Sequence, residues 1–484
     1  MVYLILLLYF AFTFWGSLIG ANTKNQTPES YFLANRNLGT LALFFTILAT
    51  NFSAFYFIGF AGEGYRVGYA YYFIMAFGTA FAALSFFIIG HKVWQLGKDK
   101  GYLTPPELIY GETGSQSLRY LYASIMVIYT LPYLALQIIG GGYILENLTG
   151  GQIPYLLGTI LLTVFTIAYV LIGGMTSVAK TDLKQGLLAI LFMLLAVIFI
   201  SRDLGGLAFA NEQLFQSEAD LFQPTGKGEQ YSPQKWFSLL IVWLFCIPMF
   251  PQLFMRFYIA RDLSHLRKSA LLYAGIPLVI SLFPVIIGVL GHLSFPGLEG
   301  KAADQILPMM LVEHTTDWFA ALVMTGAIAA FMSTLDSQLL ALSTIATRDF
   351  YLPISQREVD FKKEVAIGRV FVAIFALIGL FIAFKPFATI FDMGKLSFAG
   401  LAILFPLTLF ILRVGKVNPA YGIASIGIGQ CLLLSFYYGW LPKAWLFGFE
   451  SFIPILLICF LIVGLGTRRQ KTSLPLKDEG NKKT

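Results

Sequence analysis

Long uninterrupted apolar stretches recur along almost the whole chain, and they limit the fold more than any other feature of the sequence. The chain has 484 residues, of which 57% are hydrophobic and only 12% are charged. Because a helix needs about 20 apolar residues to cross a bilayer, many of these stretches are long enough to span a membrane. The runs are continuous rather than alternating, which disfavours a transmembrane β-barrel. The sequence therefore predicts an all-α polytopic membrane protein built as one bundle.

Thirteen apolar segments are predicted as membrane spans. They run over residues 2–20, 40–62, 67–96, 120–147, 152–174, 182–201, 236–258, 269–295, 317–347, 367–385, 393–412, 418–440 and 445–466. The first segment is long and lacks a small-residue cleavage site, so we expect it to be retained as a span. A single transmembrane domain is expected over residues 1–466. The polar residues 467–484 are predicted to form a disordered cytoplasmic tail.

The distribution of basic residues predicts the orientation of these spans, because Lys and Arg concentrate in the cytoplasmic loops of membrane proteins. With the C-terminus inside, most of the 33 basic residues lie in inner loops or at inner span ends. The outer side keeps Arg66, Arg202, Lys227, Lys235, Lys301, Lys385, Lys395 and Lys443. We therefore expect the N-terminus outside and the C-terminus inside. This topology explains the net charge of +7 better than a nucleic-acid partner does.

The ninth predicted span carries an unusual density of oxygen-bearing side chains within residues 329–340. The polar residues of this stretch are Ser333, Thr334, Asp336, Ser337 and Gln338. On a helix the three hydroxyls share one face with Ala330, and the acid lies at the flank of that face. Hydroxyl, carbonyl and carboxylate oxygens suit a small hard cation, and an acid within a span is a functional-site candidate. The structural alternative is that the hydroxyls bond to their own helix.

The second predicted span is interrupted by Thr50, Asn51 and Ser53, and glycines follow. Asn and Ser side chains compete with the backbone for hydrogen bonds and disfavour a continuous helix. A broken span exposes N–H and carbonyl groups, which is tolerated only where they face a cavity or a ligand. Discontinuous helices of this kind form midplane substrate and ion sites in secondary transporters. The alternative is that these residues cap or pack against neighbouring helices.

Two further spans carry residues suited to contact with a solute. Gln137 in the fourth span is a candidate for a hydrogen bond, whereas the glycines at 140–142 are expected to serve close helix packing. The seventh span contains two prolines, which must kink or open the helix. Trp243, Phe250 and Gln252 lie around these prolines and are candidates to line the opening.

Patterns typical of enzymes do not occur in the sequence. We find no Ser/His/Asp arrangement, no phosphate-binding glycine loop and no metal-binding histidine pair. The three cysteines lie far apart in apolar segments, which makes a metal site or a disulfide framework improbable. The sequence therefore predicts a transporter rather than an enzyme.

With these motifs the chain resembles a sodium/solute symporter, a family that includes proline, pantothenate, sialic acid, sugar and monocarboxylate transporters. The resemblance covers essentially the whole length and rests on YFLANRNLG at 31–39, ATNFSA at 49–54, GGM through TD at 173–182, AFMSTLDS at 330–337 and TRDFY at 347–351. It implies the leucine-transporter-like fold of two inverted five-helix repeats, here at about residues 40–201 and 236–412. It also implies thirteen spans with the N-terminus outside.

The resemblance further implies a main sodium (Na+) site where the second and ninth spans meet. Its ligands would be the backbone carbonyls of Ala49, Phe52 and Ala330 and the hydroxyls of Ser333 and Thr334. Some members hold a second sodium with an acid on the sixth span and hydroxyls on the ninth. The matching residues here are Asp182, Ser333, Asp336 and Ser337. Because Asp336 stands where two-sodium members have a serine, a second sodium site and a proton-binding site both stay open for it.

The solute is less constrained by the resemblance. Sialic acid members use an arginine in the fourth span, and this chain has none there. Segments 104–108, 132–143 and 250–257 resemble the monocarboxylate branch, so we expect a small carboxylate or an amino acid. Its anionic group would meet N–H groups of the broken second span and the bound sodium. The candidate contacts are Asn51, Ser53, Tyr56, Gln137, Trp243 and Gln252.

The resemblance predicts a sodium-coupled secondary active symporter that imports this solute by alternating access. The expected location is the inner (plasma) membrane, and the expected partners are sodium, the solute and the bilayer, with no obligate protein partner. One alternative is a proton-coupled symporter that uses Asp182 or Asp336. Another is a sensor that keeps the transporter fold without pumping, which the short tail disfavours.

Overall fold

The computed structural model describes residues 1–20, 36–356 and 359–469, without the side chains of 16–20, 173–184, 468 and 469. Most of these residues are helical, because a helix satisfies its backbone hydrogen bonds internally within lipid. The α-helices are α1 (Val2–Gly20), α2 (Thr40–Asn51), α3 (Phe60–Val67), α4 (Ala70–Ser85), α5 (His91–Lys100), α6 (Pro105–Thr113), α7 (Gln116–Leu148), α8 (Tyr155–Asp203), α9 (Leu207–Ser217), α10 (Pro233–Cys246), α11 (Pro251–Ile259), α12 (Leu263–Ile280), α13 (Leu282–Ser294), α14 (Ile306–His314), α15 (Asp317–Ile345), α16 (Leu352–Ser355), α17 (Phe361–Phe384), α18 (Ile390–Ala402), α19 (Phe405–Arg413), α20 (Pro419–Tyr437) and α21 (Phe452–Leu465).

Within the described residues, nine helical segments are long and apolar enough to cross a membrane, and two bent helix pairs raise the number to eleven. These segments coincide with the second to twelfth predicted spans. Two shorter apolar helices, Val2–Trp15 and Phe452–Leu465, lie in the first and thirteenth predicted spans. The multi-pass helical architecture is thus confirmed, whereas the count of thirteen and the orientation of the termini stay predictions.

Helix α8 runs without a break through both the fifth and the sixth predicted spans. Its two apolar parts, Tyr155–Ile172 and Gln185–Asp203, each meet the length and composition of a span. The segment between them contains Asp182, whose side chain lies outside the described residues. The structure therefore gives no test of the acid that we predicted for the sixth span.

Two helix pairs bend by 61° at short breaks, and both lie in the spans where the sequence predicts an interruption. The first break follows α2 and is continued by a π-helical turn, Phe55–Gly59, that leads into α3. The second break lies between α10 and α11 at Phe250, which is extended with φ −63° and ψ 127°. Pro251 causes this break, because proline disfavours a helical conformation in the residue before it and donates no hydrogen bond.

Helix α15 lies at the centre of the bundle. The apolar window of its span is 89% buried, the largest buried share among the candidate spans of the described residues. It contacts α1, α2, α7, α8, α11 and α17. All the polar residues of its 333–338 stretch are buried. The oxygens of this stretch therefore face protein rather than lipid.

A short antiparallel sheet joins β1 (Gly415–Val417) to β2 (Thr467–Arg469), with Lys416 opposite Arg468. Contrary to our prediction, the first three residues of the tail are a strand rather than a disordered segment. The rest of the predicted tail, residues 470–484, lies outside the described residues.

Candidate functional site

Three backbone carbonyls converge on one hydroxyl where α2 ends beside α15. Thr334 Oγ1 lies 3.2 Å from the Ala49 carbonyl oxygen, 3.4 Å from that of Phe52 and 3.3 Å from that of Ala330. Ser333, the neighbour of Thr334, is also completely buried. We call these five residues the cradle. Four of the residues that we predicted for the main sodium site thus meet within hydrogen-bonding distance of a single atom, with Ser333 adjacent in sequence.

The donor set of the cradle fits sodium. The last carbonyls of a helix have no partner within the helix, and the break after Asn51 leaves those of α2 in this state. Buried carbonyls of this kind need another partner, and carbonyl and hydroxyl oxygens are ligands that hard cations prefer. A cation bound here would connect the end of α2 to the middle of α15.

The first break is held from the side of α7. Gln137 accepts a hydrogen bond from the Ala54 N–H at 2.8 Å and donates one to the Tyr133 carbonyl at 3.0 Å. The hydroxyls of Ser53 and Tyr133 lie 2.8 Å apart. Two predicted solute contacts, Gln137 and Ser53, therefore support the backbone of the break in this structure. Their contact with a solute stays a prediction.

The same break is held from the side of α12. Asn51 donates to the hydroxyl of Tyr273. The Tyr56 hydroxyl lies 2.7 Å from Ser281 Oγ and 3.5 Å from the Pro277 carbonyl oxygen. The polar residues of the first break are therefore matched by polar groups on neighbouring helices. The contact of Asn51 and Tyr56 with a solute is likewise untested.

Five buried rings meet between the two breaks. The members of this aromatic cluster are Phe55, Tyr133, Trp243, Phe250 and Phe398. Phe398 lies 4.9 Å from Phe55 and 4.8 Å from Trp243, and Tyr133 lies 4.9 Å from Phe250, measured between ring centroids. The cluster thus joins one residue of the first broken span to two residues of the second. Its side chains are apolar apart from the Tyr133 hydroxyl and the Trp243 N–H, the kind of surface that small-molecule sites use.

Two further polar side chains near the breaks are buried. Trp243 Nε1 donates to Met75 Sδ at 3.2 Å. Gln252 follows Pro251 in α11, and within the described chain its Oε1 accepts no hydrogen bond. A buried acceptor without a partner is costly to keep. Gln252 therefore stays a candidate for contact with a donor group of the solute.

The residues predicted for a second cation or proton site reach different partners. Ser337 Oγ accepts a hydrogen bond from Arg256 Nη2 at 2.7 Å. The carboxylate of Asp336, the residue before Ser337, accepts one from the Tyr169 hydroxyl. A second cation or proton site at Asp182, Asp336 and Ser337 remains a prediction.

Sequence reasoning missed two features beside the cradle. Arg256 is completely buried. By its charge alone it counts among the basic residues at inner span ends, which gives it no role in the site. Its position four residues after Gln252 in the broken seventh span was the signal that could have identified it. Gln338 is also completely buried, and neither atom of its amide has a hydrogen-bond partner within the described chain.

An ion-pair network fastens the end of the bundle that is predicted to face outside. Arg66 of α3 pairs with Glu63 at 2.8 Å and with Asp304 at 3.0 Å. Asp304 also accepts the N–H of Ile390, at the start of α18, at 2.9 Å. Burial raises the pKa of Asp304 to about 6. The outer half of the first broken span is thereby tied to the loop before α14 and to α18.

A second network lies at the opposite end. Arg348, at the end of the ninth span, pairs with Glu107 and with Glu364, each at 2.7 Å. Arg119 pairs with Asp349 at 2.7 Å. These pairs connect α6, α7 and α17 to the end of the ninth span. Ion pairs therefore connect neighbouring helices at both ends of the central region.

Comparison with known proteins identifies the family of the chain. A profile described as the "Sodium:solute symporter family" matches residues 31–429. The sodium/pantothenate symporter of Haemophilus influenzae is 27% identical over 484 residues and covers 97% of each chain. The monocarboxylate transport permease protein of Rhizobium johnstonii is 25% identical and covers 86% of this chain and 84% of its own.

A solved structure shares the fold. It is the substrate-bound, outward-open state of a Na+-coupled sialic acid symporter, with a TM-score of 0.80 at 18% identity and coverage of 96% of each chain. At this identity the likeness concerns the fold alone. The family and the relatives named above are transporters rather than enzymes. Because the family profile covers most of the sequence, the chain belongs to the sodium:solute symporter family.

Proposed function

We propose that the protein is a sodium-coupled symporter that imports a small organic solute, a monocarboxylate or an amino acid, across the plasma membrane. The convergence of the Ala49, Phe52 and Ala330 carbonyls on Thr334 Oγ1 carries this proposal. It supplies oxygen ligands from two separate spans at one buried position. A cation bound there stabilises one arrangement of those two spans over others.

Coupling follows from the position of the cradle at the end of α2. The residues after the break, Phe55 and Tyr56, belong to the same broken span, and Phe55 is part of the aromatic cluster. Sodium that fixes the conformation of the first break therefore also fixes the position of Phe55 in the aromatic cluster. Linkage requires that the solute tightens sodium by the same factor by which sodium tightens the solute. The membrane potential adds about 2.3 kcal/mol per charge per 100 mV to inward movement.

The lining of the aromatic cluster supports a small solute with an apolar body. The five side chains of the cluster carry no charge, so an anionic group of the solute would be balanced by sodium and by N–H groups of the first break. Pantothenate and monocarboxylates, named in the relatives, both carry such a group. Asn51, Ser53, Tyr56, Gln137, Trp243 and Gln252 remain the proposed contacts.

Uptake into proteoliposomes tests the proposal. Purified protein is given radiolabelled carboxylates and amino acids with an inward sodium gradient, an inward proton gradient, or neither. We expect accumulation only with sodium. Accumulation that a proton gradient drives without sodium would contradict the proposal and favour proton coupling through Asp182 or Asp336, of which Asp336 is buried beside the cradle.

A further inference from the structure

Arg256 connects the second broken span to both elements of the cradle. It lies in α11, and its side chain is completely buried. Its Nη2 donates to Thr50 Oγ1 at 3.0 Å and to Ser337 Oγ at 2.7 Å. The two accepting hydroxyl oxygens lie 3.3 Å from each other. One guanidinium nitrogen thus bridges α2 and α15 from a third element.

Both acceptors adjoin cradle residues. Thr50 directly follows Ala49, whose carbonyl belongs to the cradle. Ser337 follows Thr334 by three residues, which places it about one turn further along the same side of α15. A change in the distance between α2 and α15 at the cradle therefore changes the geometry of both hydrogen bonds to Arg256.

The other end of α11 reaches the aromatic cluster. Gln252 precedes Arg256 by four residues, so the two side chains lie on the same side of α11. Phe250, at the break before α11, packs 4.9 Å from Tyr133 within the cluster. A shift of α11 that follows Arg256 therefore reaches the second break and the rings beside it.

Burial of a guanidinium is costly unless nearby anionic or polar groups compensate. Asp336 is buried on the same turn of α15 as Ser337 and supplies negative charge to this region. An apolar side chain at position 256 would avoid that cost, so the charge must serve a purpose other than filling space. Its hydrogen bonds to Thr50 of α2 and Ser337 of α15 join two separate elements of the cradle, which points to coupling.

We propose that Arg256 is a positioning residue that transmits sodium occupancy from the cradle to the second broken span. Sodium draws α2 and α15 together, both hydroxyls then hold the guanidinium, and α11 with the second break becomes fixed. The inference rests on the proposed function, since it requires sodium in the cradle. Arg256 thereby links bound sodium to Trp243 and Phe250, the two residues that the second broken span contributes to the aromatic cluster.

Hydrogen exchange of the purified full-length protein tests this link with sodium alone. Exchange is measured by mass spectrometry in sodium chloride and in choline chloride for two segments, residues 47–56 at the first break and 245–253 at the second. At ten times the sodium dissociation constant, linkage predicts about tenfold slower exchange wherever opening releases sodium. We expect this slowing at both breaks in the wild type and only at the first break in Arg256→Gln.

Two variants control the experiment. Arg413→Gln removes a different arginine, whose side chain donates to the Phe87 and Ile88 carbonyls away from the cradle. This variant should keep sodium protection at both breaks. Arg256→Lys retains the charge and should restore part of the protection at the second break. If Arg256→Gln does not fold, Ser337→Ala and Thr50→Val remove the accepting hydroxyls and should weaken the same protection.

Each other outcome is decisive. Protection of the second break that persists in Arg256→Gln, or in both hydroxyl variants, overturns the inference. So does a wild type in which sodium protects the first break alone. Sodium that protects neither break in the wild type contradicts the cradle itself and hence the proposed function.

Discussion

The two broken spans bend by the same 61°, yet their breaks are built from different chemistry. The first break is polar: Asn51, Ser53, Ala54 and Tyr56 each make a hydrogen bond to another helix. The second break is set by proline, and the rings of Trp243 and Phe250 pack around it. A cation needs carbonyl oxygens held in place, whereas the apolar body of a solute packs against ring surface. We therefore expect sodium binding to depend mainly on the first break, and solute binding to depend on the rings as well as on the proposed contacts at the first break.

Substitutions at the two breaks should have different energetic costs. Loss of one hydrogen bond at the first break leaves a buried polar group without a partner, which costs about 1–3 kcal/mol. Loss of ring surface at the second break changes packing without leaving an unsatisfied polar group. Changes at the cradle should thus alter mainly the sodium dependence, and changes to the rings of the second break should alter mainly solute recognition.

Thr334→Ala should have the largest effect, because it removes the hydroxyl on which three carbonyls converge. Loss of one oxygen ligand of a cation should cost about as much as loss of a hydrogen bond to a charged group, about 1.5–3 kcal/mol, which corresponds to a sodium activation constant raised about 10- to 150-fold. Sodium titration of solute uptake measures it. Thr325→Ala is the matched control, since Thr325 lies on the same helix and its hydroxyl donates to the Ala321 carbonyl of that helix at 2.6 Å. If Thr334→Ala and Thr325→Ala have the same sodium activation constant, sodium does not bind at the cradle.

Trp243→Phe should have a smaller effect, and this effect should fall on the KM for the solute rather than on the sodium dependence. An aromatic pair contributes about 0.5–1.5 kcal/mol beyond its buried area, so the KM for the solute should rise several-fold, up to about tenfold. The sodium activation constant at saturating solute should stay close to that of the wild type. Trp440→Phe, at a ring that is 74% exposed, serves as the control. A change confined to sodium dependence would refute the assignment of the second break to the solute.

Much of the first break could be predicted because its signals are local. Thr50, Asn51 and Ser53 interrupt an apolar run, and the hydroxyls of α15 lie at helical spacing, so both segments stand out locally. The assignment of the Ala49, Phe52 and Ala330 carbonyls as sodium ligands is implied by the family resemblance. Pro248 and Pro251 mark the second break in the same way. The structure adds the distances that bring these segments together.

The partners of those segments could not be predicted, because they come from distant parts of the chain. The partner of Asn51 is Tyr273, and nothing near either residue in sequence indicates the other. Gln137 was assigned to the solute, but an amide in a span serves equally well to satisfy the free N–H of Ala54. The strand Thr467–Arg469 was missed for the same reason, since its partner strand is Gly415–Val417.

Arg256 shows a different limit of sequence reasoning. A basic residue near the end of a span satisfies the positive-inside rule wherever its side chain points. The rule concerns loops and span ends, so it does not distinguish a solvated charge from a buried one. Only the packing of α11 against α2 and α15 shows that this charge lies beside the cradle.

Direct location of the cation tests the central claim. Crystals of the protein grown with thallous ions in place of sodium give an anomalous-difference map in which a bound monovalent cation appears as a peak. We predict a peak contacted by the carbonyl oxygens of Ala49, Phe52 and Ala330 and by Thr334 Oγ1, and its loss in Thr334→Ala. A peak beside Asp336 with none at the cradle would contradict the account.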